Sequence, residues 1–331
     1  MTHRPGLDPA VAEVRRAVRA ALAPLEAGST VVVALSGGAD SLALAAATAF
    51  EARKAGVTAA AVTVDHGLQE GSRDAATAAA AHARALGLEA RIVTVDVGSD
   101  GGPEAAARAA RYAALRGEAS ALRAVAVLTA HTLDDQAETV LLGLARGSGA
   151  ASLQGMAPQT ELAEGTVLLR PLLGVRRATT RAACAAEGLE PWDDPHNDDP
   201  AYARVRVRRR VLPMLEDELG PGIAEALART AEQLREDSEA FAEMIDETIE
   251  DIVEHAEAGI SVSVPALAAN PAALRHRIIR HVVASEFGQS LTRTQTIEVA
   301  RLVTDWTGQG PIDLPGCIAR RVGVRLEFAA R

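Results

Sequence analysis

The residues whose types and spacing suit chemistry fall into four short stretches. The first is Ser36-Gly37-Gly38-Ala39-Asp40-Ser41. It follows the apolar, β-branched run 31–35 and precedes an Ala- and Leu-rich segment, so it reads as strand, glycine turn, helix. Two glycines let the backbone turn sharply and let a ligand approach it closely. The free N–H groups and positive dipole end of the following helix favour a phosphate there. The stretch is neither G-x-x-x-x-G-K-[ST], since no lysine follows the glycines, nor G-x-G-x-x-G. It is not a G-x-S-x-G elbow either, because Ser36 precedes its glycines.

The second stretch is Asp65-His66-Gly67, at the end of another apolar run. A strand-terminal aspartate there reaches a ribose or a metal, or closes an Asx turn. The third is His131-x-x-Asp134-Asp135-Gln136-x-Glu138, at the start of a helix whose apolar face is Ala137, Val140, Leu141 and Leu144. Asp135 and Glu138 lie on the opposite face, i to i+3. Like charges at that spacing repel, so a cation is expected beside them, either Mg²⁺ or a substrate ammonium. Complementing the helix dipole explains Asp134 but explains Glu138, a turn further in, poorly. The fourth is Arg204-x-Arg206-x-Arg208-Arg209-Arg210, a concentrated cation on a chain of net charge -10. It suits a phosphate backbone, or else internal pairing with the acids of 216–251.

The elements that must position these residues follow from periodicity. A helix is expected over 8–25, with Val11, Val14, Val18 and Leu22 on one face. Strands are expected at 31–35, 57–64, 90–95, 124–129 and 167–169, alternating with long helices. That alternation implies a parallel sheet with helices on both faces, with ligands beyond the C-terminal strand ends. After the loop-like stretch around Pro191 the pattern changes: an acidic helix over 223–256, a short extended stretch at 260–264, helices near 271–286 and 292–304, and two strands within 312–328. A domain boundary is placed at 213–221, where Pro213, Gly220, Pro221 and Gly222 cluster. This gives domains 1–215 and 216–331.

At 331 residues, 48% hydrophobic and 2% aromatic, the chain must fill its cores with Ala, Val and Leu. Lys54 is its single lysine. The negative net charge excludes a uniformly basic nucleic-acid binder while allowing a local patch. Two distant cysteines, Cys184 and Cys317, argue against a disulfide framework, zinc site or iron–sulfur cluster. No apolar run has membrane-spanning length, and no signal-peptide core is evident, so a cytoplasmic protein without a membrane partner is expected.

SGGADS resembles the phosphate loop of the PP-loop ATP pyrophosphatases, which cleave ATP between the α and β phosphates. Taken with VDHGL at 64–68, Glu104-x-x-Ala107-Arg108-x-x-Arg111-Tyr112, TAHTLDDQAET at 129–139, RGSG at 146–149, RPLL at 170–173, DPHN at 194–197 and the arginines of 204–210, the chain resembles the tRNA(Ile)-lysidine synthase family over residues 30–215. One departure is Cys184, where the family pattern has a tyrosine. The C-terminal third matches loosely, as a short form.

The resemblance implies an α/β fold, with a parallel, doubly wound, Rossmann-like PP-loop sheet domain followed by a smaller, mainly helical C-terminal domain for tRNA recognition. It implies ATP and Mg²⁺ as cofactors. The substrates would be an isoleucine tRNA with a CAU anticodon and free L-lysine; a homodimer is left open. The wobble cytidine would be adenylated at its C2 oxygen, and lysine would then displace AMP. It implies ATP contacts from Ser36, Gly37, Gly38, Ala39, Asp40, Ser41, Asp65 and His66, and a metal contact from Asp40. Catalytic roles would fall to Asp40, His131, Asp135 and Glu138, and tRNA contacts to Arg108, Arg111, Arg204, Arg206 and Arg208. Another PP-loop tRNA-modifying enzyme such as a thiolase, or a non-catalytic RNA-binding module, is the competing reading.

Overall fold

In the computed structural model, residues 6–67, 71–98, 102–147, 149–193, 199–256 and 259–331 are described. Leu68, Ser148 and the DPHN segment therefore lie outside the described residues. By its contacts the chain divides into two units, 1–235 and 236–331.

The first unit is built on a six-stranded sheet: β1 (Thr30–Ala34), β2 (Thr58–Asp65), β3 (Glu89–Thr94), β4 (Ala124–Leu128), β5 (Gln159–Ala163) and β6 (Thr166–Leu169). Their order is β3-β2-β1-β4-β6-β5. All neighbours are parallel except β5, which pairs antiparallel with β6. Sequence reading expects only the 167–169 strand here. β5 (QTELA) is a half-buried edge strand that presents no apolar run, and it reaches β6 through the Glu164-Gly165 turn.

β1 shows why this sequence becomes a central strand. Val31 and Val33 bury into one face of the sheet, with α1 (Pro9–Leu22), α2 (Ala39–Ala55), α3 (Ser72–Ala85) and α7 (Arg177–Ala186). Val32 buries into the other, with Leu115 and Ala119 of α4 (Pro103–Ala121). Helices thus cover both faces, as the alternating pattern requires. The strand order reverses between β1 and β4, so the segments after those two strands open into one crevice.

α5 (Leu133–Ala145) follows β4, and α6 (Ala150–Leu153) follows it. The expected apolar face of α5 fails at Leu144, which is 51% exposed. Ala137 and Val140 are buried as expected, and the acid face is buried as well, with Glu138 fully so.

The alternating Arg-Val stretch is helical: α8 (Ala203–Arg206), a π-helical turn over Val207–Val211, and α9 (Leu212–Leu219). α10 (Ile223–Ile252) then runs through the unit boundary. The division by contacts falls inside this helix, and the Pro/Gly cluster of 213–222 lies within the first unit. That cluster is stapled into the first unit. The Glu216 carboxylate accepts hydrogen bonds from the N–H groups of Gly222, Ile223 and Ala224 at 2.7, 3.2 and 3.2 Å. Leu212, Ala224, Leu227 and Ala228 pack on Leu133 and Ala137 of α5.

The second unit has α11 (Val264–Ala269), α12 (Ala272–Phe287) and α13 (Arg293–Thr304). Its five-stranded antiparallel sheet has the order β7-β8-β11-β10-β9. The strands are β7 (Val253–Ala256), β8 (Gly259–Ser263), β9 (Ile312–Leu314), β10 (Cys317–Val322) and β11 (Arg325–Ala330). Where two terminal strands are expected, three form, because Gly316 and Gly323 each turn the chain at positive φ. Phe328, Leu326, Ile278, Val282 and Leu302 centre its core. Among the described residues no helix is long and apolar enough to cross a membrane.

Candidate active site

The loop after β1 is held open by its own side chains. Gly37 has φ +86, and a Cβ there would lie 3.3 Å from the Ala79 methyl, so glycine is required. The Ser41 hydroxyl donates to the Gly38 carbonyl (2.9 Å) and accepts from the Ser36 N–H (3.2 Å), with the Ser36 hydroxyl 3.1 Å away. The Trp192 N–H donates to the Gly37 carbonyl at 3.0 Å. Gly38 leaves the N-terminus of α2 without a side-chain cap. Its first-turn N–H groups are thus available to an anion. Cys184, at the family's tyrosine position, is buried beneath the loop and donates to the Ala39 carbonyl at 3.2 Å.

Asp40, in the first turn of α2, faces α7 and α5. It accepts a hydrogen bond from the Thr180 hydroxyl, and its Oδ2 lies 3.5 Å from Arg177 Nε. Burial raises its pKa, against the opposing pull of Thr180 and Arg177. Arg177 Nη2 lies 2.8 Å from Asp135 Oδ1, and Nη1 lies 3.1 Å from Glu138 Oε1. Arg208 adds contacts to Glu138 at 2.7 and 3.1 Å and to Asp135 at 3.4 Å, while Arg204 lies 3.6 Å from Glu138 and donates to Thr139.

The cation demanded by the two like charges on α5 is therefore present, and the protein supplies it. Asp135 also completes a capping box with Thr132, accepting from its N–H and hydroxyl at 2.9 Å each. Burial alone would raise the Asp135 pKa; Arg177, the Thr132 N–H, His131 and Arg208 hold it below the usual range. A cavity of about 150 Å³ opens beside this cluster, lined among others by Asp134, Glu138, Arg177, Arg208 and Glu216.

Arg204 and Arg208, expected as tRNA contacts, both reach α5 in this structure. Glu216 and Glu225 are taken by Arg176, which also lies 3.5 Å from Asp134. Arg206 stays exposed and donates to the Pro200 and Ala201 carbonyls at 2.7 Å. The π-helical turn, a common device at functional sites, follows immediately.

A second charged group has the opposite character. Arg108 and Arg111 of α4 lie 5.0 and 5.5 Å from the ring centre of Tyr112. Arg170 and Arg116 line the same 420 Å³ groove with Arg108 and Tyr112. Among the described residues no carboxylate makes an ion pair with Arg108, Arg111 or Arg170. Burial lowers the Arg111 pKa, and Arg108 and Arg204 lower it further.

His131 stands between the two groups. Its Nδ1 lies 3.1 Å from the Thr129 hydroxyl. Burial pushes its pKa down to about 4; Asp135 resists, while Arg111, Arg170 and Arg108 assist. His66 is likewise lowered by burial and then by Arg111. Asp65 closes an Asx turn, accepting the Gly67 N–H at 3.0 Å.

The crevice thus brings together the loop, Asp40, His131, Asp135 and Glu138. Sequence reading missed Arg176 and Arg177, Thr180, Arg170 and Trp192. One signal was available: Arg176-Arg177 stand at the N-terminus of α7, where the helix dipole disfavours cations.

No group of three or more His, Cys, Asp or Glu side chains suited to a metal occurs among the described residues. Asp40 does fit Mg²⁺, which usually takes one or two carboxylates and completes its shell with phosphate oxygens and water.

A family model described as a PP-loop domain matches residues 11–215, and one described as a TilS substrate binding domain matches 263–326. A tRNA(Ile)-lysidine synthase from Leifsonia xyli subsp. xyli is 62% identical over 92% of this chain and 91% of its own length. One from Thermobifida fusca is 52% identical over 96% and 95%. The U34-tRNA thiolase NcsA from Methanococcus maripaludis, solved with its 4Fe-4S cluster, superposes with a TM-score of 0.59 at 21% identity, covering 69% of this chain and 79% of that chain. That likeness concerns the fold.

Proposed function

Since the chain belongs to the tRNA(Ile)-lysidine synthase family, ATP-dependent ligases that form a carbon–nitrogen bond on tRNA, we propose how its residues divide that work. The observation that carries the reading is the convergence on one guanidinium, Arg177, of the loop acid Asp40 and the α5 acids Asp135 and Glu138. The ATP loop and a cation-binding pair of carboxylates share one crevice.

The loop and the start of α2 receive the β and γ phosphates, the future pyrophosphate. Asp40 would hold Mg²⁺, which supplies charge neutralisation to that leaving group. The C2 oxygen of the wobble cytidine attacks the α phosphorus, pyrophosphate leaves, and the base carries AMP. Free lysine then attacks C2 through its ε-nitrogen and AMP departs. Asp135 and Glu138 receive an ammonium of lysine. His131, neutral at pH 7, offers an imidazole beside them to hold or pass a proton.

Arg108, Arg111 and Arg170 hold a phosphate of the anticodon loop, and the Tyr112 ring offers a face to an unstacked base. In the C-terminal unit, Arg277 and Arg280 of α12 and Arg293 of α13 lie close enough to depress the Arg280 pKa together with its burial. We assign them to the tRNA backbone.

Incubation with tRNA, Mg²⁺-ATP and labelled lysine, followed by nucleoside and nucleotide analysis, tests the reading. Lysidine, AMP and pyrophosphate are expected; ADP and phosphate would refute it.

A further inference from the structure

Glu138 and Asp135 have no vacant seat for an incoming ammonium. Glu138, fully buried, accepts from Arg177 and Arg208, and Asp135 accepts from Thr132, Arg177 and Arg208. A lysine cation binds there only by exchange with an arginine.

The two arginines are held differently. Arg208 grips Glu138 with two nitrogens and also reaches Asp135. Arg177 gives each of its three nitrogens to a different carboxylate: Nη2 to Asp135, Nη1 to Glu138, and Nε, at 3.5 Å, to Asp40. Its backbone is fixed, because its N–H donates to Asp134 Oδ2 at 2.7 Å and its carbonyl accepts the Thr180 hydroxyl at 2.8 Å. Only the side chain is free to move, and it already spans from the lysine carboxylates to the phosphate loop. A guanidinium pairs well with phosphate oxygens, commonly through two parallel bonds. Nucleotide phosphates at the start of α2 therefore compete with α5 for Arg177.

We propose that Arg177 is a positioning residue that occupies the lysine ammonium seat at rest and is drawn toward the nucleotide phosphates when ATP binds, so that ATP opens the lysine site. The proposal rests on the assignment of Asp135 and Glu138 to lysine. It makes lysine binding conditional on nucleotide and places ATP binding ahead of amine entry.

Titration calorimetry of L-lysine into the full-length protein tests it, with and without Mg²⁺ and α,β-methylene-ATP, which resists cleavage at the α–β position. Native protein should bind lysine roughly tenfold more tightly with the nucleotide, an ordinary coupling between sites. Arg177→Gln should bind lysine without nucleotide as tightly as native protein does with it, and the coupling factor should fall to about one. Arg177→Lys keeps a charge but cannot span three carboxylates, and should retain only part of the coupling. It also serves if the glutamine variant does not fold.

Equal lysine affinity of native protein in both conditions overturns the proposal. So does coupling that survives in Arg177→Gln, or loss of lysine binding by that variant. Glu138→Gln separates this from the underlying assignment: lysine binding unaffected by that change refutes the lysine site itself, whatever Arg177 does.

Discussion

The two charged groups flanking His131 are built on opposite plans. Around α5, every carboxylate meets an arginine within the chain, down to the fully buried Glu138. Around Tyr112, Arg108, Arg111 and Arg170 gather without an ion pair to a carboxylate among the described residues, although Glu161 lines the same groove. Paired charges in a buried place offset much of their own desolvation, and removing one partner leaves that cost uncompensated; like charges gathered without a partner cost stability until a ligand arrives. The first group holds its own stand-in for a cationic ligand, and the second waits for an anionic one. Free lysine and a tRNA phosphate are a cation and an anion of the required kinds.

The sharpest way to break this comparison is to unpair the first group. Glu138→Ala leaves the guanidinium groups of Arg177 and Arg208 facing a buried gap, and should destabilise the first unit by roughly 3–5 kcal/mol. A urea melt within about 1 kcal/mol of native would show that the pairing contributes little. Next comes the loop acid. Asp40→Asn should lower turnover by at least about a hundredfold, the scale of a lost electrostatic group. Because burial raises the Asp40 pKa, the ionised carboxylate is under strain at neutral pH, so thermal stability should hold or rise. A parallel fall of Tm and activity would mark Asp40 as structural.

For the second group, Arg111→Ala should weaken tRNA binding and reduce the log–log salt slope by roughly 0.7–0.9 without lowering Tm. Arg208→Ala, by contrast, should leave the slope unchanged, since that arginine faces α5; a reduced slope would return it to the tRNA interface.

The smallest effect is the pH dependence of His131. Its folded pKa, about 4, lies below the ordinary 6.5. Between those values the unfolded chain binds a proton that the folded chain refuses. Stability should therefore fall as pH drops from 6.5 to 4 and level off below. Urea melts of His131→Asn across that window should show a shallower slope. An identical slope would assign the acid sensitivity elsewhere.

Much of this architecture is legible in the residues because the strands are apolar and buried on both faces. Val31, Val32 and Val33 announce β1, and the acids of α5 announce their need for a cation. The identity of that cation was not legible. Arg177 is remote in sequence from Asp40 and Glu138, and a contact between distant segments leaves no periodic trace. The same limit explains the arginines of 204–210. Their spacing shows a concentration of charge, but the inward reach of Arg204 from α8 and of Arg208 from the π-helical turn depends on how those turns pack on α5. β5 was hidden for a simpler reason: an edge strand with one dry side lacks the apolar run that marks a central one.

Lys54 is the chain's single lysine, and its Nζ lies 4.3 Å from the Phe50 ring centre in the last turn of α2. At 1.5 Å rise per residue that is on the order of 20 Å from the loop at the helix start. Every other basic side chain of the site is histidine or arginine, and a guanidinium stays protonated and does not act as an amine nucleophile. An adenylated cytidine is an electrophile that any nearby primary amine would capture. A crevice furnished with guanidinium cations supplies all the positive charge the reaction needs, yet offers no tethered ε-amine that would trap the activated base as a dead-end protein–RNA adduct.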